Sequence, residues 1–128
     1  MNMKAFGLAG LAGAVVALFA TSAFAHHTHA MFDFTRTVEL VGTVTEFQWT
    51  NPHSWLRVMA ANEQGEMVEY AIEMSAPGAL FRRGWRTDTV VAGDEITVSI
   101  YPTTNGSNGG TLDFVTLPDG KALVEEYD

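Results

Sequence analysis

No cysteine occurs anywhere in the 128 residues. A disulfide framework is therefore excluded, and so is a lipidated cysteine that would tether the chain to a membrane. Basic residues are scarce: 7 Lys and Arg stand against 15 Asp and Glu, for a formal net charge of -8. A surface of that sign repels nucleic-acid phosphates and anionic lipid headgroups, which leaves cations as the partners it favours. No Ser-His-Asp set, HExxH, phosphate loop or CxxC is present, and nothing in the sequence demands an enzyme. There is also no internal repeat and no sign of a second domain.

Nor is there an apolar run long enough to span a bilayer. The longest, "AFGLAGLAGAVVALFA" from Ala5 to Ala20, has 16 residues, against about 20 for a transmembrane helix. Lys4 precedes it, and Ala23 and Ala25 follow in the small-x-small arrangement that signal peptidase accepts. Residues 1–25 are thus expected to be a signal peptide cut after Ala25. Losing Lys4 makes the mature chain, residues 26–128, more acidic still, and places it in the periplasm or outside the cell. Without disulfides, its stability must come from packing, which is feasible for about 100 residues.

What is present is β-pattern. "VELVGTVTEFQW" (38–49) is rich in β-branched and aromatic residues, with Val38, Leu40 and Val44 on one parity and Phe47 and Trp49 on the other. Such a change of face, with Gly42 inside the run, predicts a bend or bulge. "TNPH" turns the chain into a second strand (54–60), and "MVEYAIEM" (67–74) alternates cleanly as a third. In "SAPGALFRRGW", Ser75 is expected to cap a helix of about two turns, with Pro77 in its first turn, Leu80 and Phe81 on its apolar side and Gly84 as its stop. A fourth strand follows with Ile96, Val98 and Ile100 inward, then a glycine-rich loop (102–110), a fifth strand (111–117), a "PDG" turn and a short sixth strand. The expected fold class is all-β with one short helix. The order implies a five- to six-stranded OB-like β-barrel over 38–128, with the helix between strands 3 and 4. It is preceded by a histidine-containing segment, 26–37.

Three of the four histidines sit in that segment. After cleavage His26 would be the first residue, followed by His27 and His29. An N-terminal histidine offers its α-amino group and its imidazole Nδ1 to one metal ion. The amine's reference pKa of about 7.7 lets it lose its proton near neutrality. The nitrogen-rich set suits copper(II), ahead of zinc or nickel. His53, in "NPHSW" at the turn between the first two strands, is the distant candidate to complete such a site. The competing interpretations are a solvated histidine tail and a structural imidazole at the turn. Glu73 is expected to pair with Arg82 or Arg83, and Trp49, Trp55 and Trp85 to pack in the core.

The chain resembles a family of small exported bacterial proteins grouped as a domain of unknown function. The resemblance runs from Ala25-His26-His27 and Phe32-Asp33 through Leu40-Val41-Gly42-Thr43-Val44 to Trp49-Thr50-Asn51-Pro52-His53-Ser54-Trp55. It continues in Glu73, Pro77, Leu80, Arg82-Arg83-Gly84-Trp85, Gly93-Asp94 and Pro118-Asp119-Gly120. It implies export and a β-rich fold and brings no established activity. His29 lies outside this pattern and ranks below the other three histidines as a ligand.

Two functions follow as expectations. The first is an exported metal-binding barrel that handles copper through His26, His27 and His53. The second is a metal-free OB-type binding module for a peptide, glycan or protein partner of the cell envelope. Its ligand face would lie between the "NPHSW" and "TTNGSNGG" loops, with Asn51, Trp55 and Asn105 as contact residues.

Overall fold

The structure is a computed structural model, described for residues 30–125. The described residues include β1 (Val38–Gln48), β2 (Trp55–Ala61), β3 (Met67–Glu73), the short helix α1 (Pro77–Arg82), β4 (Glu95–Pro102), β5 (Gly109–Thr116) and β6 (Ala122–Val124). Hydrogen bonding runs β3-β2-β1-β4-β5-β6, and a further β3–β5 pairing closes the first five into a barrel. That closing seam is parallel and short, matching Ala71, Ile72 and Glu73 with Gly109, Gly110 and Thr111. All other pairs are antiparallel. The expected OB-like barrel, with its helix between β3 and β4, is the fold observed.

β1 carries the architecture because it serves two partners. Its first half, Val38–Thr43, pairs with β4, and its second half, from Gly42 to Gln48, pairs with β2. The register shifts between Val44 and Glu46, which is the change of face written in the sequence. Gly42 is not the bulge, although its presence suggested one. A Cβ there would run into Met59 O of β2 and come within 2.7 Å of Val58 Cγ1. The glycine is needed so that two backbones can approach.

Alternating apolar residues from every barrel strand fill the interior. Leu40, Val44, Leu56, Val58, Ile72, Ile96, Val98, Ile100, Leu112 and Val115 are all buried, with Leu80 and Trp85 closing one side. Each such side chain contributes about 1.5–3 kcal/mol by leaving water. Leu80 is the only buried residue of α1. Phe81, expected beside it, is exposed under the Arg86 guanidinium, 3.9 Å from the ring centre.

The helix ends differ from each other. Pro77 occupies the first turn as expected, but Ala76 is the N-cap, with no side-chain cap hydrogen bond. Ser75 instead accepts a hydrogen bond from an Arg83 guanidinium nitrogen through its Oγ, at 3.0 Å. At the other end Gly84 has φ +93. Its N–H donates to Phe81 O, and the Trp85 N–H donates to Leu80 O, which is the Schellman pattern that favours glycine.

β5 begins at Gly109, inside the segment expected to be loop. Glycine reads as a turn residue in a sequence, yet here it permits contact. A Cβ on Gly109 would meet Ala71 O, and one on Gly110 would meet Tyr101 O. The two glycines let β5 lie against β3 and β4 at the seam.

Candidate functional site

His53 leaves the β1–β2 loop and lies against the end of β3. The loop is held there by backbone bonds: Ser54 N donates to Ser75 O at 3.1 Å, and Met74 N donates to Ser54 O at 2.9 Å. The Thr50 hydroxyl donates to His53 O at 2.9 Å. His53 Nδ1 is 3.0 Å from Met74 O and 3.2 Å from Glu73 Oε1. A carbonyl only accepts, and so does an ionised carboxylate, so these neighbours assign the proton of the neutral ring to Nδ1. The lone pair is then on Nε2. The imidazole is 45% exposed and the Glu73 side chain only 12%, so a nearly buried carboxylate fixes a half-exposed ring.

A second carboxylate lies next to this corner. The Glu125 side chain is fully buried, with its Oε1 3.0 Å from an Arg83 guanidinium nitrogen. Ser75 N also donates to that oxygen, at 3.0 Å. The other oxygen, Oε2, is buried with no hydrogen-bond partner. Burial pushes the Glu125 carboxyl above the usual range, against the opposing pull of Ser75, Arg83 and His53. Glu73 therefore meets His53 rather than taking the expected role as an arginine's partner, and Arg83 meets Glu125. The turn signal and the charge pattern do not reveal this exchange. "KALVEE" reads as a short sixth strand, with nothing in it to mark Glu125 as an arginine's partner.

Of the other expected residues, Asn51 and Pro52 are exposed, joined by a cis peptide bond. Trp55 is half-buried at the start of β2, opposite Glu73 in the ladder. Trp85 is buried and Trp49 packs against the core. Asn105 lies in the β4–β5 loop, where its Oδ1 accepts from Ser107 N at 3.0 Å. That loop borders an open cleft of about 210 Å³, lined by Arg36, Tyr70, Asn62, Gln64, Thr103, Ser107 and Asn108 among others. The cleft runs between the β4–β5 loop and the β2–β3 turn, and none of residues 49–55 lines it.

His26, His27 and His29 lie outside the described residues, as does the expected signal segment 1–25. Phe32 is buried and bridges to Thr103. Asp33 follows, held below the usual carboxylate range mainly by the Thr35 hydroxyl and backbone N–H, then by Arg36. Among the described residues no group of three or more His, Asp or Glu side chains is placed to hold a metal ion. Among the same residues, no helix is long and apolar enough to cross a membrane.

A family model described as a family of unknown function, DUF6152, matches residues 14–113. Neither the curated proteins nor the solved structures provide a match.

Proposed function

The chain belongs to that family, whose description carries no activity, and from the chain's own residues we propose an exported protein that binds a transition metal ion, copper(II) first. His26 and His27 are the primary ligands, the former through its amine and imidazole, with His53 a further candidate and His29 ranked last. Zinc and nickel rank below copper because a nitrogen-rich set follows the affinity order that peaks at copper. The observation that carries this reading is the His53 ring. Its Nδ1 is held by Met74 O and Glu73, its ring is half exposed, and Nε2 has no protein partner among the described residues. Metal-ligating imidazoles are held in this way, by a second partner on the nitrogen that faces away from the ion. The acidic chain adds a field that draws cations.

The test is a copper(II) titration of the processed protein, read by electron paramagnetic resonance. It is run beside a form carrying one extra N-terminal residue and beside His53→Ala. Tight, nitrogen-ligated binding that weakens sharply in the extended form supports a chelating N-terminus. A smaller weakening in His53→Ala adds that residue to the site. Equal, weak binding in all three overturns the reading.

One observation favours a second reading, the metal-free module. The cleft beside the β4–β5 loop presents amides and hydroxyls with the Tyr70 ring, flanked by Arg36 and Glu63, a lining suited to a polar glycan or a peptide backbone. Chemical-shift changes confined to Asn62, Gln64 and Asn108 on adding oligosaccharides or peptides would support it. Unchanged shifts with both classes would remove it.

A further inference from the structure

β3 is paired on both sides for only part of its length. The parallel seam with β5 covers Ala71, Ile72 and Glu73, three of the seven residues of β3. Where the other main-chain groups point follows from the two ends of the β2–β3 ladder. Met74 N donates to Ser54 O at 2.9 Å, and Asn62 N donates to Glu66 O at 2.8 Å. In an antiparallel pair the residues that bond to the partner alternate. Ile72, Tyr70 and Val68 therefore turn their N–H and C=O towards β2, and Ala71, Glu69 and Met67 turn theirs away. Ala71 N finds Asn108 O at 3.2 Å. The main-chain groups of Glu69 and Met67 have no partner among the described residues, because β5 begins only at Gly109.

An open edge is a template for another strand, and proteins usually blunt one with proline, lysine or another charge. Met67–Tyr70 contains neither proline nor lysine. Its one charge is drawn back over its own sheet, since the Thr45 hydroxyl donates to Glu69 Oε2 at 3.0 Å and Arg57 to Oε1 at 3.3 Å. The cleft adjoins this edge through Tyr70, with Val38, Ile100 and Pro102 as its apolar lining. Edge and pocket are the two parts of recognition by strand addition. Main-chain bonds supply affinity, and a pocket for alternate side chains supplies selectivity. A glycan would fill the cleft and leave the edge bare.

We propose that the β3 edge at Met67 and Glu69 binds an extended peptide segment of a partner protein, with alternate side chains entering the neighbouring cleft. The segment carries lysine or arginine. Residues 62–73 hold Glu63, Glu66, Glu69 and Glu73 and no basic residue, and Arg36 of the cleft is paired with Asp33 at 3.2 Å. This rests on the metal-free reading and narrows its ligand to a peptide.

The test follows amide shifts and hydrogen exchange of the processed protein on adding the capped hexapeptide Lys-Val-Thr-Val-Lys-Val. Two variants of the peptide are run beside it, one with Glu for Lys and one N-methylated at every residue, which keeps the side chains and loses the N–H donors. Expected are shifts reaching from the cleft to Met67 and Glu69, slowed exchange at those two amides, and binding about tenfold or more weaker for both variants. Met67→Pro removes an edge N–H at the first strand position, where proline fits. It should weaken binding about threefold or more, while Met67→Ala changes it little. Equal binding of the N-methylated peptide overturns edge pairing and leaves the cleft reading standing. Equal binding of the glutamate peptide overturns the basic partner. Shifts with cellotetraose and none with any peptide overturn the proposal in favour of a glycan. Shifts at Met67 and Glu69 that depend on protein concentration alone place a second copy on the edge and overturn it too. No response to either ligand class removes the metal-free reading and the inference together.

Discussion

The β1–β2 loop and the β4–β5 loop are of similar length and equally rich in turn residues, yet they are built in opposite ways. The first is secured by groups far away in sequence: Ser54 to Ser75 and Met74, and His53 to Glu73 and Met74. The second mostly satisfies itself. The Thr103 hydroxyl donates to Ser107 O at 2.8 Å, the Ser107 hydroxyl donates to Thr103 Oγ1 at 3.1 Å, and Asn105 Oδ1 accepts from Ser107 N. A loop tied to distant groups shares the stability of the barrel, whereas a self-bonded loop opens at its own lower cost. Buried carboxylates gather behind the first loop, whereas amides, hydroxyls and the side chains of Arg36 and Glu63 line the cleft beside the second. Only the first can hold a side chain at a geometry set by the core.

That contrast predicts where substitutions hurt. The largest effect is expected for Arg83→Met, which leaves Glu125 buried with only the Ser75 N–H beside it. Stranding a buried charge costs about 3–5 kcal/mol, and Arg83's partial exposure puts the expected loss at the lower end, about 3 kcal/mol. Urea unfolding measures it directly. A loss below about 1 kcal/mol would show that the corner behind His53 is no more rigid than the opposite loop.

Next in size is the seam that the β4–β5 loop feeds. Gly109→Ala places a Cβ against Ala71 O, where the strand cannot yield without parting β5 from β3. The expected cost is about 2 kcal/mol, from overpacking. Hydrogen exchange should localise the change to Ala71–Glu73. Loss of protection there would also loosen Glu73, and so join the two loops through the seam.

A smaller and more specific effect concerns pH. Burial raises the Glu125 carboxyl above its reference value of 4.5, so the folded protein binds this proton more tightly than the unfolded chain. Glu125 therefore contributes stability fully present below pH 4.5, and that contribution is lost as pH rises through the raised value. Glu125→Gln cannot titrate. The stability of the wild type minus that of Glu125→Gln should fall with rising pH above 4.5 and then level off. A difference that rises over the same window would mean that Arg83 outweighs burial.

The barrel was legible in the sequence because alternation and turn residues are local signals. Ile96, Val98 and Ile100 face inward as their spacing required, and the parity change between Val44 and Phe47 foretold the shift near Thr45. Glycine misled twice for one reason. Gly42 and Gly109 read as bend and loop, but both serve the close approach of a neighbouring strand, and closeness is a property of two segments. The candidate corner was legible only in part. His53 stood out by its place in a turn, whereas its contact with Glu73 spans 20 positions and a barrel strand. Glu125 carried no signal at all, since one glutamate near a chain end looks like any solvated charge until β6 brings it under Arg83.

The smallest predicted effect is the sharpest test of the contrast. Asn105→Ala removes the bond from Ser107 N to Asn105 Oδ1 at 3.0 Å, in an exposed loop where water can replace the lost acceptor. The expected cost is about 0.5 kcal/mol or less. Amide exchange should speed up within Thr103–Asn108 and stay unchanged at Ser54 and Met74. Copper(II) affinity should match the wild type, because among the described residues Asn105 bonds to Ser107 within its own loop and not to His53 or Glu73. If Asn105→Ala instead lowered that affinity, the β4–β5 loop would be coupled to the His53 corner. The Ala71 N–H bond to Asn108 O, at 3.2 Å and two residues from Glu73, would be the route to examine.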